Sequence, residues 1–495
     1  MVAEATVGVG TSGSGPPVPD DPLATGSFYA PTGEAFKRFI CQNWGSRALA
    51  QLPPHASPEH YESRRARLIE RFSGDVLVVP AGVPRPRCGD QTFPFRPSSD
   101  YVYLTGDQQP RGVLVLDGRD GTARATLFLL PSERKVTPAF FEDRQRSELW
   151  VGPVPTLEEV ESELGIECAR LDDLSKMLEQ TGRCRVLRGL DPLVDAAVRP
   201  LDFADRELAA VLSEHRLIKD AWEIEELQGA VDATARAFDE VVASLSRVAQ
   251  VGERGERYVE GLFALWARVL GNGVGYSTIA AAGPHATVAH WMRNDGPLRE
   301  GTLLLLDAGV ESSTLYTADI TRTLPVSGAF TPAQRSVYDL VLEAQDAGLA
   351  VLQPGRPYKD FFDAADRVLA AGLASWGILP KPLARSMEEL LHRRYTLYPP
   401  GGHMLGLDVH DCGKARASMY IEGSLAAGHV LTVEPGLYFQ PDDLSVPEEL
   451  RGIGVRIEDD VLITNTGCTV LSSAMPRRPE EVEAWVQQRQ RNDLL

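Results

Sequence analysis

Short apolar runs punctuate the first part of the chain: DVLVVPAG (75–82), DYVYLTG (100–106), GVLVLDG (112–118) and ATLFLLP (125–131). Each is bounded by Gly, Pro or Asp, and each reads as a β-type segment. A helical spacing of apolar residues marks a further stretch around 156–165. This mixture predicts a small α/β domain from about 33 to 212. The pattern then changes. DRELAAVLSEHRLIKDAWEIEELQGAVDATARAFDEVVASLSRV (205–248) has apolar positions three and four apart, the spacing of helices packed on one face. Thr331 as N-cap and Pro332 behind it open another helix, which stops before Pro354-Gly355, and a third spans about 358–376. Between them lie the strand segments GTLLLLDAGV (301–310), LYTADITRTLPV (315–326), HVLTVEPGLYF (429–439) and GVRIEDDVLIT (454–464). Helices with antiparallel strand pairs predict an α+β second domain, from 213 to 482. Residues 1–32, rich in Gly, Ser and Pro, predict a disordered tail. Residues 483–495 read as a short C-terminal tail.

Length supports this division, because 495 residues exceed one ordinary core. A net charge of −19 argues against nucleic acid and anionic membrane as partners, since both call for basic patches. The six cysteines, Cys41, Cys88, Cys168, Cys184, Cys412 and Cys468, contain no CxxC pair and suit a reducing compartment. The N-terminus lacks the basic start and apolar run of a signal peptide. No apolar stretch reaches the roughly 20 residues that span a bilayer. The expectation is a cytoplasmic protein.

The acidic residues of the second domain fall at unusual places. Asp307 ends the apolar run TLLLLD, and Asp319 lies within the next strand segment beyond the turn-rich VESST. A hairpin there sets the two carboxylates side by side, where repulsion forces one to protonate unless a cation neutralises them. In GVRIEDDVLIT, strand alternation places Arg456, Glu458 and Asp460 on one face, so that Arg456 can orient Glu458. Glu434 closes LTVE just before Pro-Gly, and His403 and His410 lie in the Gly-rich GGHMLGLDVHD. Singly, each has an ordinary explanation as a capping, solvated or hydrogen-bonded residue. Together, four strand segments that each carry an acid or a histidine at an apolar boundary point to a metal site.

LLLLDAG, YTADITRT, GHMLGLDVHD, LTVEPGLY and GIGVRIEDD also occur in the order and approximate spacing of the pita-bread (creatinase/methionine aminopeptidase-like) metallopeptidases. The chain most resembles aminopeptidase P, the Xaa-Pro aminopeptidase, over about 60–480. FPFRPSSDYVYLTG (93–106) and ELWVG (148–152) extend the likeness into the first domain. The resemblance implies a creatinase-like N-terminal domain before a pita-bread catalytic domain. It implies two divalent ions, most often manganese, held by Asp307, Asp319, His403, Glu434 and Glu458. A donor set of four carboxylates and one imidazole is oxygen-rich and suits manganese. It further implies Glu434 as proton shuttle, His290 and His410 around the reacting carbonyl, and Arg456 behind the ligands. Tyr276, Tyr438, Asp100 and Trp150 match positions that line the substrate pocket or reach in from the N-terminal domain. The substrate is then a peptide or small amino-acid derivative, and the assembly a homo-oligomer, dimer or tetramer.

One position departs from the family. Where it places a histidine four residues before the ligand His403, this chain has Pro399. Loss of one donor to the transition state costs on the order of 100-fold in rate. Three functions stay open at this point: hydrolysis of Xaa-Pro bonds, a repurposed dimetal reaction such as oxygen activation or amino-acid modification on the same scaffold, and a non-catalytic binding protein. The five intact ligand positions speak against the last.

Overall fold

The computed structural model describes residues 33–492 apart from 46–51, 90, 120–122, 131–134, 136, 138, 143–146, 182–183, 249–250, 381 and 397–400. The tail expected over 1–32 and Pro399 lie outside the described residues.

The first domain is built on a five-stranded mixed sheet in the order Glu167–Arg170, Arg124–Leu129, Val113–Asp117, Val76–Pro80, Cys184–Val186. The three central strands are antiparallel and the two outer ones join in parallel. Helix Leu157–Leu164 lies where the spacing predicts it, started by a reciprocal capping box between Thr156 and Glu159. DYVYLTG is not a strand, however. Ser99–Thr105 is a helix buried on every side, so no polar face reveals its period. Gly106 ends it at φ +74, and its N–H donates to the Val102 carbonyl. A β-carbon there would come within 2.6 Å of the Tyr61 ring, so glycine is required twice over.

In the second domain the Leu303–Ala308 strand is buried at all six positions, between Ile279–Ala282 and Ile320–Pro325 in antiparallel register. Each fully buried leucine of that strand contributes about 2 kcal/mol. Val430–Val433 pairs with Asp459–Ile463, and Gly436–Tyr438 pairs with Gly454–Arg456. The long helix Ala221–Val248 packs on Gly255–Leu270, with the Phe238 and Phe263 rings edge-on at 5.8 Å. Helices Pro332–Ala350 and Asp360–Ser375 lie within the ranges expected for them, the former capped by Thr331 and Gln334. Residues 483–492 do not form a tail. They continue helix Pro479–Asn492, in which Val482 and Val486 are buried and the Trp485 indole donates to Asp239.

The Asp202–His215 helix runs across position 212, and buried ion pairs join the two domains around it. Arg64, 1% exposed, reaches Asp220 at 2.8 Å and Glu223 at 3.2 Å. Arg216 lies 3.0 Å from Asp100 and 3.1 Å from Asp411, while Ser99 donates to Asp408 at 2.6 Å. These contacts fix the loop that carries His410.

Candidate metal centre and active site

Two strand interruptions create the site. The chain leaves one small sheet at Glu434-Pro435 and enters another at Gly436; it does the same at Ile457-Glu458. Proline lacks the N–H a continuous ladder needs. Glu434 and Glu458 therefore sit at breaks, where side chains are released from strict alternation. Glu458 thus lies just outside the Gly454–Arg456 strand, contrary to the unbroken strand expected from GVRIEDDVLIT, although both side chains line the same cavity. Asp319 is not inside its strand either, but one residue before Ile320–Pro325. The hairpin geometry still brings Asp307 and Asp319 together, with the Tyr276 hydroxyl 2.7 Å from one and 2.5 Å from the other.

Asp307, Asp319, His403, Glu434 and Glu458 all line one cavity of about 730 Å³ with Tyr276, His290, His410 and Arg456. His403 Nε2 is 3.3 Å from Asp319 Oδ2 and 3.5 Å from Glu434 Oε1. Donor atoms of Asp319, His403 and Glu458 lie within 4.8 Å of one another. Arg456 pairs directly with Asp307, and its other bonds go to Tyr438 Oη at 2.9 Å and Thr321 Oγ1 at 3.1 Å. It meets Glu458 through Thr321, whose hydroxyl donates to Glu458 at 2.6 Å. His410 and His290 are exposed on the cavity, and the His410 ring meets the His403 ring edge-on at 4.3 Å.

Three of the residues expected to line the pocket or to reach in from the N-terminal domain lie off the wall of this cavity. Tyr438 is 5% exposed, behind Arg456 rather than on the cavity wall. Asp100 lines an adjoining cavity of about 490 Å³ between the domains, which His410 also borders. Trp150 is exposed on the N-terminal domain, its indole donating to the Phe141 carbonyl, and it does not line this chain's cavity. Sequence reasoning missed the groups that hold the acids. Thr321 stands opposite Asp307 in register and serves both Glu458 and Arg456. Thr432 Oγ1 accepts the His403 N–H and donates to Glu434 at 3.2 Å. Asp460 Oδ2 accepts the Asp319 N–H, and its buried Oδ1 has no partner. A threonine two residues before Glu434 and another two residues after Asp319 were the available signals.

The electrostatics fit a divalent cation. Burial pushes the Glu458 carboxyl well above its usual range, and Asp319, Glu434 and Asp307 push it further. Burial also raises Asp319 and Glu434, partly opposed by His403. Burial alone would lower His403, but Asp319 and Glu434 bring it up to about 9. Among the described lining residues Arg456 is the one guanidinium or ammonium facing four acids. Four buried or half-buried carboxylates with one imidazole thus carry more negative charge than the protein itself neutralises, and their donor types suit hard cations.

A stability test follows from these directions. Between the unfolded values near 4 and the raised folded values, the native carboxyls bind more protons than the unfolded chain does. The native His403 likewise keeps its proton up to about 9, whereas the unfolded imidazole loses it near 6.5. Both contributions are present at low pH and lost as pH rises. The Tm of the metal-free protein should therefore fall between about pH 5 and about pH 8, by roughly 1 °C for each kcal/mol lost in a chain of this length. Manganese added at the upper end should restore it. A metal-free Tm that rises over this range counts against the charged cluster.

Comparison with known proteins agrees with the geometry. Residues 225–465 match the model of metallopeptidase family M24, and 61–186 match the aminopeptidase P N-terminal domain. Xaa-Pro aminopeptidase 1 of Streptomyces coelicolor is 48% identical over 95% of this chain and 97% of its own length. The chain belongs to metallopeptidase family M24. Within this family of metallo-aminopeptidases, the Escherichia coli Xaa-Pro aminopeptidase is 33% identical over 86% of this chain and 97% of its own. The solved structure of E. coli aminopeptidase P with the inhibitor Pro-Leu superposes with a TM-score of 0.78 at 30% identity, covering 88% of this chain and all of that one. The pita-bread fold and its N-terminal partner domain are those expected from sequence. A repurposed chemistry, the alternative motivated by Pro399, finds no support in these relatives.

Proposed function

We propose that this protein is a dinuclear-metal Xaa-Pro aminopeptidase, which releases the N-terminal residue from peptides with proline in second place. The observation that carries this reading is the set of buried Asp307, Asp319 and Glu458 with half-buried His403 and Glu434 on one cavity wall. Those five residues would hold two divalent ions, with manganese as the expected metal. When bound, the ions would lower the pKa of a bound water and polarise the scissile carbonyl.

The remaining work belongs to the protein. The water's oxygen adds to the carbonyl carbon and the C–N bond breaks. The proline nitrogen carries no hydrogen in the peptide, so it leaves only once a proton reaches it. Glu434, steadied by the Thr432 hydroxyl, takes the proton from the water and delivers it to that nitrogen. His290 and His410 border the same cavity as donors to the carbonyl oxygen. Burial lowers the His410 pKa below its ordinary value. Arg456 holds Asp307 in place, and Tyr276 spans Asp307 and Asp319.

The Mn²⁺-loaded protein incubated with Xaa-Pro-Xaa peptides should release the first amino acid, and a chelator should stop it. Intact peptide after prolonged incubation with two bound equivalents of metal overturns the reading. We place the protein in the cytoplasm, supported by six cysteines that are all free. No helix among the described residues is long and apolar enough to cross a membrane. A homo-oligomer, dimer or tetramer, is supported by the exposed Phe39, Trp44, Leu149 and Trp150 on the N-terminal domain, and sedimentation would test it.

A further inference from the structure

Glu256 lies outside the metal cluster, yet it is fully buried and accepts four hydrogen bonds. Its Oε1 receives the Ala282 N–H at 2.8 Å and His285 Nδ1 at 2.7 Å. Its Oε2 receives the Trp291 indole N–H at 2.8 Å and the Gly296 N–H at 2.6 Å. In return the Glu256 N–H donates to the Gly296 carbonyl at 3.0 Å. A carboxylate has about four acceptor sites, and all four are used here.

The donors bracket one segment. Beyond Ala282, the last residue of its strand, residues 283–296 contain no strand and one short 3₁₀ turn, Gly283–Thr287. His290, Ala289 and Met292 project from the segment into the active-site cavity. Such a segment, lacking ladder hydrogen bonds of its own, needs fixing from outside. Trp291, adjacent to His290, is held twice: by its indole on Glu256 and by stacking on His285 at 3.9 Å. The surroundings are built for close approach. A β-carbon on Gly296 would lie 2.5 Å from the His285 ring, and one on Gly255 would lie 2.5 Å from the Leu298 nitrogen.

We infer that Glu256 is a positioning residue for His290: its carboxylate, seated on helix Gly255–Leu270, ties both ends and the middle of the 282–296 segment so that the imidazole is held over the cavity. The inference rests on the proposed role of His290 in the reaction. Gln at this position keeps the shape but presents an N–H₂ to two of the donors, so the segment loosens without a cavity. A misplacement of about 1 Å at a catalytic group is enough for a loss of up to 100-fold.

The test is a double-mutant cycle on the manganese-loaded enzyme with an Xaa-Pro peptide. Glu256→Gln should lower kcat by about 10–100-fold while KM moves far less and bound metal stays the same. In a His290→Ala background the same substitution should cost no more than about 2-fold further, because the group it positions is gone. Equal losses in both backgrounds, or no loss in either, overturn the inference. If His290→Ala by itself leaves kcat unchanged, the role of His290 is wrong and the inference falls with it. Should Glu256→Gln fail to fold, Trp291→Phe removes only the indole donor and is read through the same cycle, with a smaller loss expected.

Discussion

His403→Ala is expected to emerge without its full metal and without activity, whereas His410→Ala keeps both ions and loses about 100-fold in kcat/KM. The two rings touch, with centroids 4.3 Å apart, so the contrast comes from what surrounds them. His403 Nε2 faces the carboxylates of Asp319 and Glu434, and its backbone N–H is tied to Thr432. Removing it deletes a donor from the acid cluster and leaves those carboxylates in unrelieved repulsion. His410 borders the cavity from the exposed side, and its pKa is lowered rather than raised. It is placed to serve the transition state, where loss of one donor costs on the order of 100-fold. Metal analysis and steady-state kinetics on both variants decide the matter. A metal-free His410→Ala with a metal-replete His403→Ala would reverse the assignment.

The largest stability effect is expected at Arg456. It is 2% exposed and bonds Asp307, Tyr438 and Thr321, all on neighbouring strands. Arg456→Met keeps much of the volume but leaves Asp307 buried without its cation. Breaking a buried pair from one side costs about 3–5 kcal/mol, so the urea midpoint of the metal-free variant should drop accordingly. Bound metal neutralises the same carboxylates, so the loss should shrink in the loaded protein. Metal affinity should also weaken, by about 10–100-fold, because Asp307 loses the partner that orients it. A change below about 1 kcal/mol in the metal-free protein contradicts the role assigned to Arg456.

The legible parts of this protein were those in which a residue's chemistry sits beside an apolar run. TLLLLD announced both a buried strand and an acid at its end, and the structure places Asp307 there. The Thr331-Pro332 start was legible because capping chemistry is local. What stayed hidden was decided by tertiary context. Ser99–Thr105 is buried on all faces, so its helical period left no trace in the polar pattern. The break at Glu434 follows from the adjacent Pro435, but the one at Glu458 has no proline and depends on strand partners far away in sequence; Arg456 pairs with Asp307 and meets Glu458 through Thr321. Thr321, Thr432 and Glu256 look ordinary in sequence, because their importance lies in the donors and acceptors that folding gathers around them. Trp150, which family likeness sets at the pocket or reaching in from the N-terminal domain, stands exposed on that domain.

The central claim is that two divalent ions sit among Asp307, Asp319, His403, Glu434 and Glu458. An anomalous-difference map from manganese-soaked crystals tests it most directly. The account predicts two peaks inside the 730 Å³ cavity, each in contact with carboxylate oxygens of this set and one of them also with the His403 imidazole. A map with a single peak, or with none in that cavity, would contradict it.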